Sequence, residues 1–275
     1  MVGTSPEICH IGKILNIPSI NVNEDDASAV PQYAKFSYPF AKEILSPGCC
    51  NNGKWDNKSI KYDSYHELAY LHPDNFEPDE KILTKYNIIK PYFILRFSAL
   101  KAYHDSGVKG INKELGLKII DKLALKGNIY ITSEKKLETE FEKFRLNINP
   151  LDIHHILSFS EMYIGDSQTM AAESAVLGVP SLRLNDFVGK LGYLEELEKK
   201  YHLTYGYKPD NSKGLLEKID ELLKQKDFKI IWSENRAKML LEKIDTTKFF
   251  VWFIENYPES KRVLKEKPDY QYKFQ

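Results

Sequence analysis

"MYIGDSQTMAAESAVLGVPSLRLN", residues 162–185, runs from a short apolar segment into a polar turn, then small residues, then Gly178, Pro180 and a second apolar segment. The pattern predicts strand, turn, helix and strand. Asp166 or Ser167 can cap the helix by accepting a hydrogen bond from a first-turn N–H. Ala171, Ala172 and Ala175 let that helix lie close to a sheet, and Gly178 with Pro180 ends it. A helix that starts where a parallel strand ends presents unpaired N–H groups and a partial positive charge, which suits phosphate. Open parallel sheets bind their ligands beyond the carboxyl ends of the strands. Ser167 and Thr169 add hydroxyl donors there. Thr169 and Glu173, four apart, fall on one helix face, which puts a carboxylate one turn beyond a phosphate and within reach of ribose hydroxyls. The plainer reading is a capping turn followed by a solvated Glu173.

Outward from this stretch the chain alternates strand and helix. "YFILRFSA" (92–99) suits a buried strand. "KELGLKIIDKLALKG" (113–127) has helical spacing at Leu115, Ile119, Ile120 and Leu123 and ends on Gly127. "NIYITS", "PLDIHHILSFSE", "YLEELEKKYHL", "TYGYK" and "GLLEKIDELLKQ" continue the alternation, which predicts a parallel sheet with helices on both faces. "NRAKMLLEKIDTTKFFVWFIENYP" (235–258) reads as helix only, and Phe249, Phe250, Trp252 and Phe253 make a packing face. Toward the N-terminus, residues 5–16 and 28–38 read as helices, "PSINVN" and "AKEILSP" as strands. From "GCCNNGKWDN" (48–57) to "LHPDNFEPDE" (71–80) Asn, Gly, Pro and Asp dominate, which predicts an irregular hinge or linker ending near Pro91.

The 275 residues fit two domains better than one, and 42% hydrophobic with 28% charged residues is a globular composition. Lys plus Arg and Asp plus Glu balance at 39 each, so no global field favours nucleic acid, and an anionic ligand needs a local site. No apolar run reaches the roughly 20 residues that span a bilayer. "MVGTSPEICH" lacks the basic and apolar regions of a signal peptide. The expected location is the cytoplasm, peripheral at the inner membrane face. Cys9, Cys49 and Cys50 lack zinc-type spacing and read as reduced thiols, so neither a metal nor another cofactor is expected.

"YIGDSQTMAAESAVLGVPSLRLN" resembles the nucleotide-sugar-binding motif of GT-B-type glycosyltransferases and of the non-hydrolysing UDP-N-acetylglucosamine 2-epimerases. In those proteins an Asp-Ser-Gly-Gly turn meets the diphosphate and a Glu along the helix meets the ribose. Asp166 and Ser167 match directly, Glu173 falls on the ribose position, and Gln168 and Thr169 stand where the epimerases have glycine. The chain is more similar still to domain-of-unknown-function family 354. "VGTSPEICHIGKILNIPSI", "FSYPFAKEILSP", "YDSYHELAYLHPDNFEPD", "YFILRFSALKAYHDSG", "YITSEKKL", "YIGDSQTMAAESAVLGVP" and "TTKFFVWFIENYP" carry that likeness in order along nearly the whole chain. The resemblance implies an α/β, GT-B-like protein with two Rossmann-like domains and parallel sheets. It implies too that the N-terminal domain is truncated, because relatives carry a strand and a glycine-containing loop before the equivalent of "VGTSPE". A sheet edge left open in this way invites self-association or a partner.

The expected division is a partial acceptor-side domain over 1–72, a linker over 73–91, a nucleotide-sugar-binding domain over 92–244, and a C-terminal crossing helix and tail over 245–275. Arg96, at the end of its strand, can hold phosphate bidentately or form a salt bridge. His104 can act as acid or base or make a loop hydrogen bond. Ser133 and Glu134 end another strand and can line the base pocket. In the first half, His10 on a helix is either catalytic or structural. Asp25, between Glu24 and Asp26, is either an acceptor's general base or part of a solvated loop. His154 and His155 are adjacent on a helix and point apart, a poor metal pair. The implied function is a glycosyltransferase of surface-polysaccharide or glycan assembly that takes a nucleotide-sugar donor, a UDP-sugar first, and a glycan or lipid-linked acceptor. A UDP-N-acetylglucosamine 2-epimerase-like enzyme and an inactive, truncated binding protein are the alternatives.

Overall fold

The computed structural model describes residues 1–97, 110–133 and 137–275. These divide into two compact units, Met1–Asn75 with Gly189–Glu196 and Met239–Gln275, and Phe76–Val188 with Leu197–Lys238.

Unit 1 opens with β1 (Val2–Gly3), α1 (Pro6–Ile14), β2 (Ile20–Val22), α2 (Pro31–Ser37), β3 (Glu43–Pro47), β4 (Ser59–Tyr62) and α3 (Leu68–Leu71). Both α1 and α2 begin with proline, whose fixed φ and missing N–H suit a first helical position. The four strands are parallel and ordered β1-β2-β3-β4. The stretch expected to be irregular therefore contributes a strand: β4 pairs with β3 and buries Ile60 and Tyr62 on alternate positions.

Unit 2 holds α4 (Lys81–Lys85), β5 (Tyr92–Phe97), α5 (Lys113–Leu123), β6 (Asn128–Ser133), α6 (Thr139–Glu142), α7 (Ile153–Ser158), β7 (Met162–Gly165), α8 (Gln168–Val176), β8 (Ser181–Leu184), β9 (Thr204–Tyr207) and α10 (Ser212–Lys224). Between β8 and β9 runs α9 (Gly192–Lys199), and after α10 comes α11 (Phe228–Glu242); each carries residues of both units. Five parallel strands are ordered β6-β5-β7-β8-β9. Tyr92–Leu95 of β5 and all of β7 and β8 are buried, as a parallel sheet covered on both faces requires. The predicted stripe of α5 is buried at Leu115, Ile119, Ile120 and Leu123, and Asn112 caps the helix by accepting from Leu115 N at 2.9 Å.

The C-terminal segment is not one helix. A break at Lys243–Asp245 separates α11 from α12 (Thr246–Glu255), where the Asp245 side chain caps the new helix, and α13 (Glu259–Glu266) follows. The aromatic cluster packs as its spacing predicts. Phe249 and Phe253 are buried against Ile20, Leu45, Ile60 and Tyr62, with Phe250 and Trp252 alongside. Cys9, Ala34, Tyr38 and Ile44 form unit 1's other apolar cluster, and all three cysteines are free thiols. Among the described residues no helix is long and apolar enough to cross a membrane.

Candidate functional site in unit 2

From β5 the chain crosses to β6 on one side, then returns past β5 to β7, β8 and β9 on the other. The direction of winding reverses between β5 and β7, so their carboxyl ends form the topological switch point where open α/β sheets bind ligands. Arg96 and Gly165 are register partners at that point, and Asp166 N donates to Arg96 O at 3.3 Å. Only glycine fits at 165: a Cβ there would lie 2.3 Å from the Tyr163 hydroxyl and 2.8 Å from Arg96 O.

Ser167 is the N-cap of α8, and its Oγ accepts from Met170 N at 3.4 Å. The amides before Met170 belong to the first helical turn, which has no intrahelical acceptors. Ala171, Ala172 and Ala175 are fully buried, and Ser181 Oγ donates to Ala171 O at 2.9 Å, so small side chains bring α8 tightly onto β8. Gly178 ends the helix with φ +79°, a left-handed conformation that glycine adopts without strain.

A cavity of about 730 Å³ opens beside this turn. Arg96 and Ser133 line it from the ends of β5 and β6, Met170 from α8, and Ile148 and Ile153 from the segment entering α7. Asp166 lines a different cavity, of about 710 Å³, with Phe97, Asn112 and Lys118. The structure thus gathers Arg96, Ser133 and Met170 around one hollow, gives Asp166 to another, and leaves Ser167, Gln168, Thr169 and Glu173 off the lining of both. Ser167 and Gln168 are half-buried and Thr169 is exposed. Glu173, three positions after Met170, is 7% exposed, which overturns the plainer reading of a solvated residue. Its Oε1 lies 2.9 Å from His154 Nε2 on α7.

Tyr163 sits amid these groups. Burial pushes its phenol well above the ordinary value, the carboxylates of Asp166 and Glu173 push the same way, and Arg96 pulls against them. The phenol therefore stays neutral beside Arg96, Asp166 and Glu173. His155 has another partner, accepting from Asp79 N through Nδ1 at 2.9 Å, and both histidine rings lie beside the ring of Phe76.

His104 and Glu134 lie outside the described residues. In unit 1, His10 Nε2 meets Phe36 O at 2.7 Å, and Asp25 is half-buried after β2 with its carbonyl accepting from Asn23 Nδ2 at 3.1 Å. Asp26, read with its neighbours as a solvated acid, is instead buried and accepts from the amides of Asn51 and Gly192 at 3.0 and 2.7 Å. His72, Asp74 and Asp245 bring ligand-type atoms within 4.8 Å of one another. Lys248 already stands 2.7 Å from Asp74 and 3.2 Å from Asp245. Met170, Ile153 and His154 are neighbours of the site that the sequence did not point to. Only the i, i+3 spacing of Met170 and Glu173 could have singled out the first.

Solved structures share this architecture. The chain is similar to an S. aureus MnaA–UDP co-structure at 15% identity, covering 94% of this chain and 75% of that one, with a TM-score of 0.60. It is similar to the Methanocaldococcus jannaschii UDP-GlcNAc 2-epimerase in complex with UDP-GlcNAc and UDP, at 14% identity over 82% and 68% of the two chains and a TM-score of 0.56. A glycosyltransferase from Rickettsia africae ESF-5 aligns at 15% identity over 94% and 80%, with a TM-score of 0.53. At such identities the likeness speaks to fold, and the fold is that of the GT-B glycosyltransferases and epimerases, α/β with two parallel sheets. No curated protein sequence matches the chain. The family described as "Protein of unknown function (DUF354)" matches residues 2–203, well over half of the chain, and the protein belongs to that family.

Proposed function

We propose that unit 2 binds a nucleoside-diphosphate sugar and that the protein is a glycosyltransferase of surface-polysaccharide or glycan assembly. The observation that carries this reading is the cavity at the switch point, where Arg96 and Ser133 stand beside the N-terminus of α8. The diphosphate would lie on the turn Ser167–Thr169 against Arg96, whose planar fork suits phosphate. The first-turn amides and the helix dipole would take up charge developing on the leaving diphosphate. Glu173 would receive the ribose hydroxyls in place of His154. The apolar wall at Ile148 and Ile153, with Ser133 opposite, offers a flat base both a surface and a polar contact. Gln168 replaces the glycine of related motifs, so its half-buried side chain must turn aside for the phosphate to approach. Asp25 is the proposed base toward an acceptor hydroxyl, a better candidate than His10, whose ring nitrogen is held by a main-chain carbonyl. His104 and Glu134 keep their proposed places as catalytic and base-pocket residues.

A second reading is a sugar-nucleotide 2-epimerase, which the likeness to the M. jannaschii UDP-GlcNAc 2-epimerase favours. Calorimetric titration with UDP, CDP, GDP, ADP and TDP, repeated on Arg96→Ala, tests the common core of both. Binding by one diphosphate that weakens in the variant supports it, and no binding by any of them overturns it. Incubation with UDP-N-acetylglucosamine then separates the two, since appearance of the 2-epimer without an acceptor assigns the second.

A further inference from the structure

We propose that the Tyr163 hydroxyl is a positioning group for the diphosphate turn, holding the Ser167 carbonyl so that the amide of Gln168 faces the phosphate. The ligand is that of the nucleotide reading above, on which this role rests. Tyr163 is fully buried in β7 between Ile94 of β5 and Ser181 of β8, its register partners. Its ring runs beneath Gly165, two residues on along the same face of the strand, and its hydroxyl donates to Ser167 O at 3.4 Å. A Cβ at 165 would lie 2.3 Å from that hydroxyl and 2.8 Å from the ring carbon that bears it, so the glycine leaves the path from β7 to the turn open.

Ser167 O takes a second donor, Ala171 N at 3.2 Å, which makes the first hydrogen bond of α8. A carbonyl oxygen has two lone pairs, and here one serves the helix and the other the strand beneath it. The Ser167 carbonyl and the Gln168 N–H belong to one planar trans peptide and point in opposite directions. Holding the carbonyl toward Tyr163 and Ala171 therefore aims the Gln168 N–H out of the helix start, where a first-turn amide has no acceptor in its own helix. That is where the diphosphate is proposed to lie. Neither bond to Ser167 O is short, so loss of the phenol's share leaves the helix intact and its first peptide freer to turn.

The hydroxyl keeps its proton at neutral pH, because burial and then the Asp166 carboxylate push the phenol well above its ordinary value. It is therefore a constant donor to the turn. Tyr92 offers the contrast. It is equally buried, in the neighbouring β5, and its hydroxyl donates to Ile156 O at 2.5 Å, a carbonyl of α7 rather than of the turn.

The test compares Tyr163→Phe and Tyr92→Phe with the native protein, each variant keeping its ring and losing one buried hydroxyl. In the nucleotide-free protein, amide hydrogen exchange at Met170 and Ala171 should quicken about threefold or more in Tyr163→Phe and not in Tyr92→Phe, with α5 exchanging at its native rate in both. By calorimetric titration, UDP affinity should fall about fivefold in Tyr163→Phe, the order of one neutral hydrogen bond, and stay native in Tyr92→Phe. Uridine, which lacks the diphosphate, should bind both variants as it binds the native protein. Native exchange at Met170 and Ala171 in Tyr163→Phe overturns the role, and so does an equal rise in α5, which assigns the hydroxyl to general packing. Equal losses of UDP and uridine affinity, or an equal loss of UDP affinity in Tyr92→Phe, overturn it too. A native protein that binds no nucleoside diphosphate overturns the nucleotide reading instead, and exchange at Met170 and Ala171 still decides whether Tyr163 sets the turn.

Discussion

The imidazole Nε2 of His154 lies 2.9 Å from Glu173 Oε1, linking α7 to α8 nearly two turns beyond the Ser167 cap. If Glu173 receives ribose hydroxyls, His154 holds its carboxylate in place until the nucleotide arrives. Glu173→Ala should weaken nucleoside diphosphate binding about tenfold, or about 1.4 kcal/mol. His154→Ala should weaken it by less, because it removes a positioning group and not the contact. Titration of both variants against the diphosphate that binds the native protein checks the order. Equal affinity in Glu173→Ala removes the ribose role.

Gly165 sets how closely β7 lies beneath Arg96. A methyl group there meets both the buried Tyr163 ring and the Arg96 carbonyl, which is held in the β5–β7 ladder. Gly165→Ala should cost about 2 kcal/mol of stability, in the range of overpacked cores. It should also lower nucleotide affinity by displacing the end of β5. Urea unfolding and titration on the same preparation test both effects. A variant of native stability would show that the strand ends have room to shift.

Much of unit 2 was legible in the sequence because its signals are local. Ser167, Asn112 and Gly178 act at their own helix ends, and the stripe Leu115, Ile119, Ile120, Leu123 faces the core as its spacing requires. β4 was hidden by its neighbours: Ile60 and Tyr62 alternate with Ser59 and Lys61, but four residues among turn formers are too few for the alternation to stand out. The strand becomes stable only by pairing with β3 and packing on Phe249, nearly two hundred residues away. The switch point depends on strand order, which no local pattern encodes. The contact of His154 with Glu173, and the separation of Asp166 from Arg96 into different cavities, depend on it in turn.

Lys243, in the break between α11 and α12, is 3% exposed and stands 2.5 Å from Asp63 and 2.8 Å from Glu196. Burial pulls its ammonium group down, but the two carboxylates outweigh burial and hold it above its ordinary value of 10.5. Lys243→Met removes the cation shared by Asp63 and Glu196, which keep the hydroxyls of Tyr272 and Tyr65, and should cost about 2 kcal/mol. Because the folded-state value is raised, this contribution is complete below pH 10.5 and is lost as pH rises through the elevated value. The stability gap between native protein and variant should therefore be constant from pH 7 to 9 and narrow above pH 10.5, read by urea unfolding at each pH. A gap that persists unchanged at pH 12 would assign the cost to packing.

His66, between β4 and α3, gives the opposite dependence. Burial disfavours its charged form and lowers it from the ordinary 6.5, with the Tyr70 ring edge-on at 6.4 Å. Above pH 6.5 the imidazole is neutral whether the chain is folded or not, and it contributes nothing to the slope. As pH falls below 6.5 the unfolded chain takes up the proton first, so stability declines until the folded form can be protonated as well. His66→Gln keeps a polar side chain of similar reach without the titration. Between pH 7 and 5 it should flatten the decline, each tenfold difference in proton affinity between the folded and unfolded chain being worth about 1.4 kcal/mol. The check is thermal unfolding of both proteins across that interval. Parallel curves would mean that His66 is hydrated well enough to be protonated in the folded state, and that the acid-side loss begins at other groups.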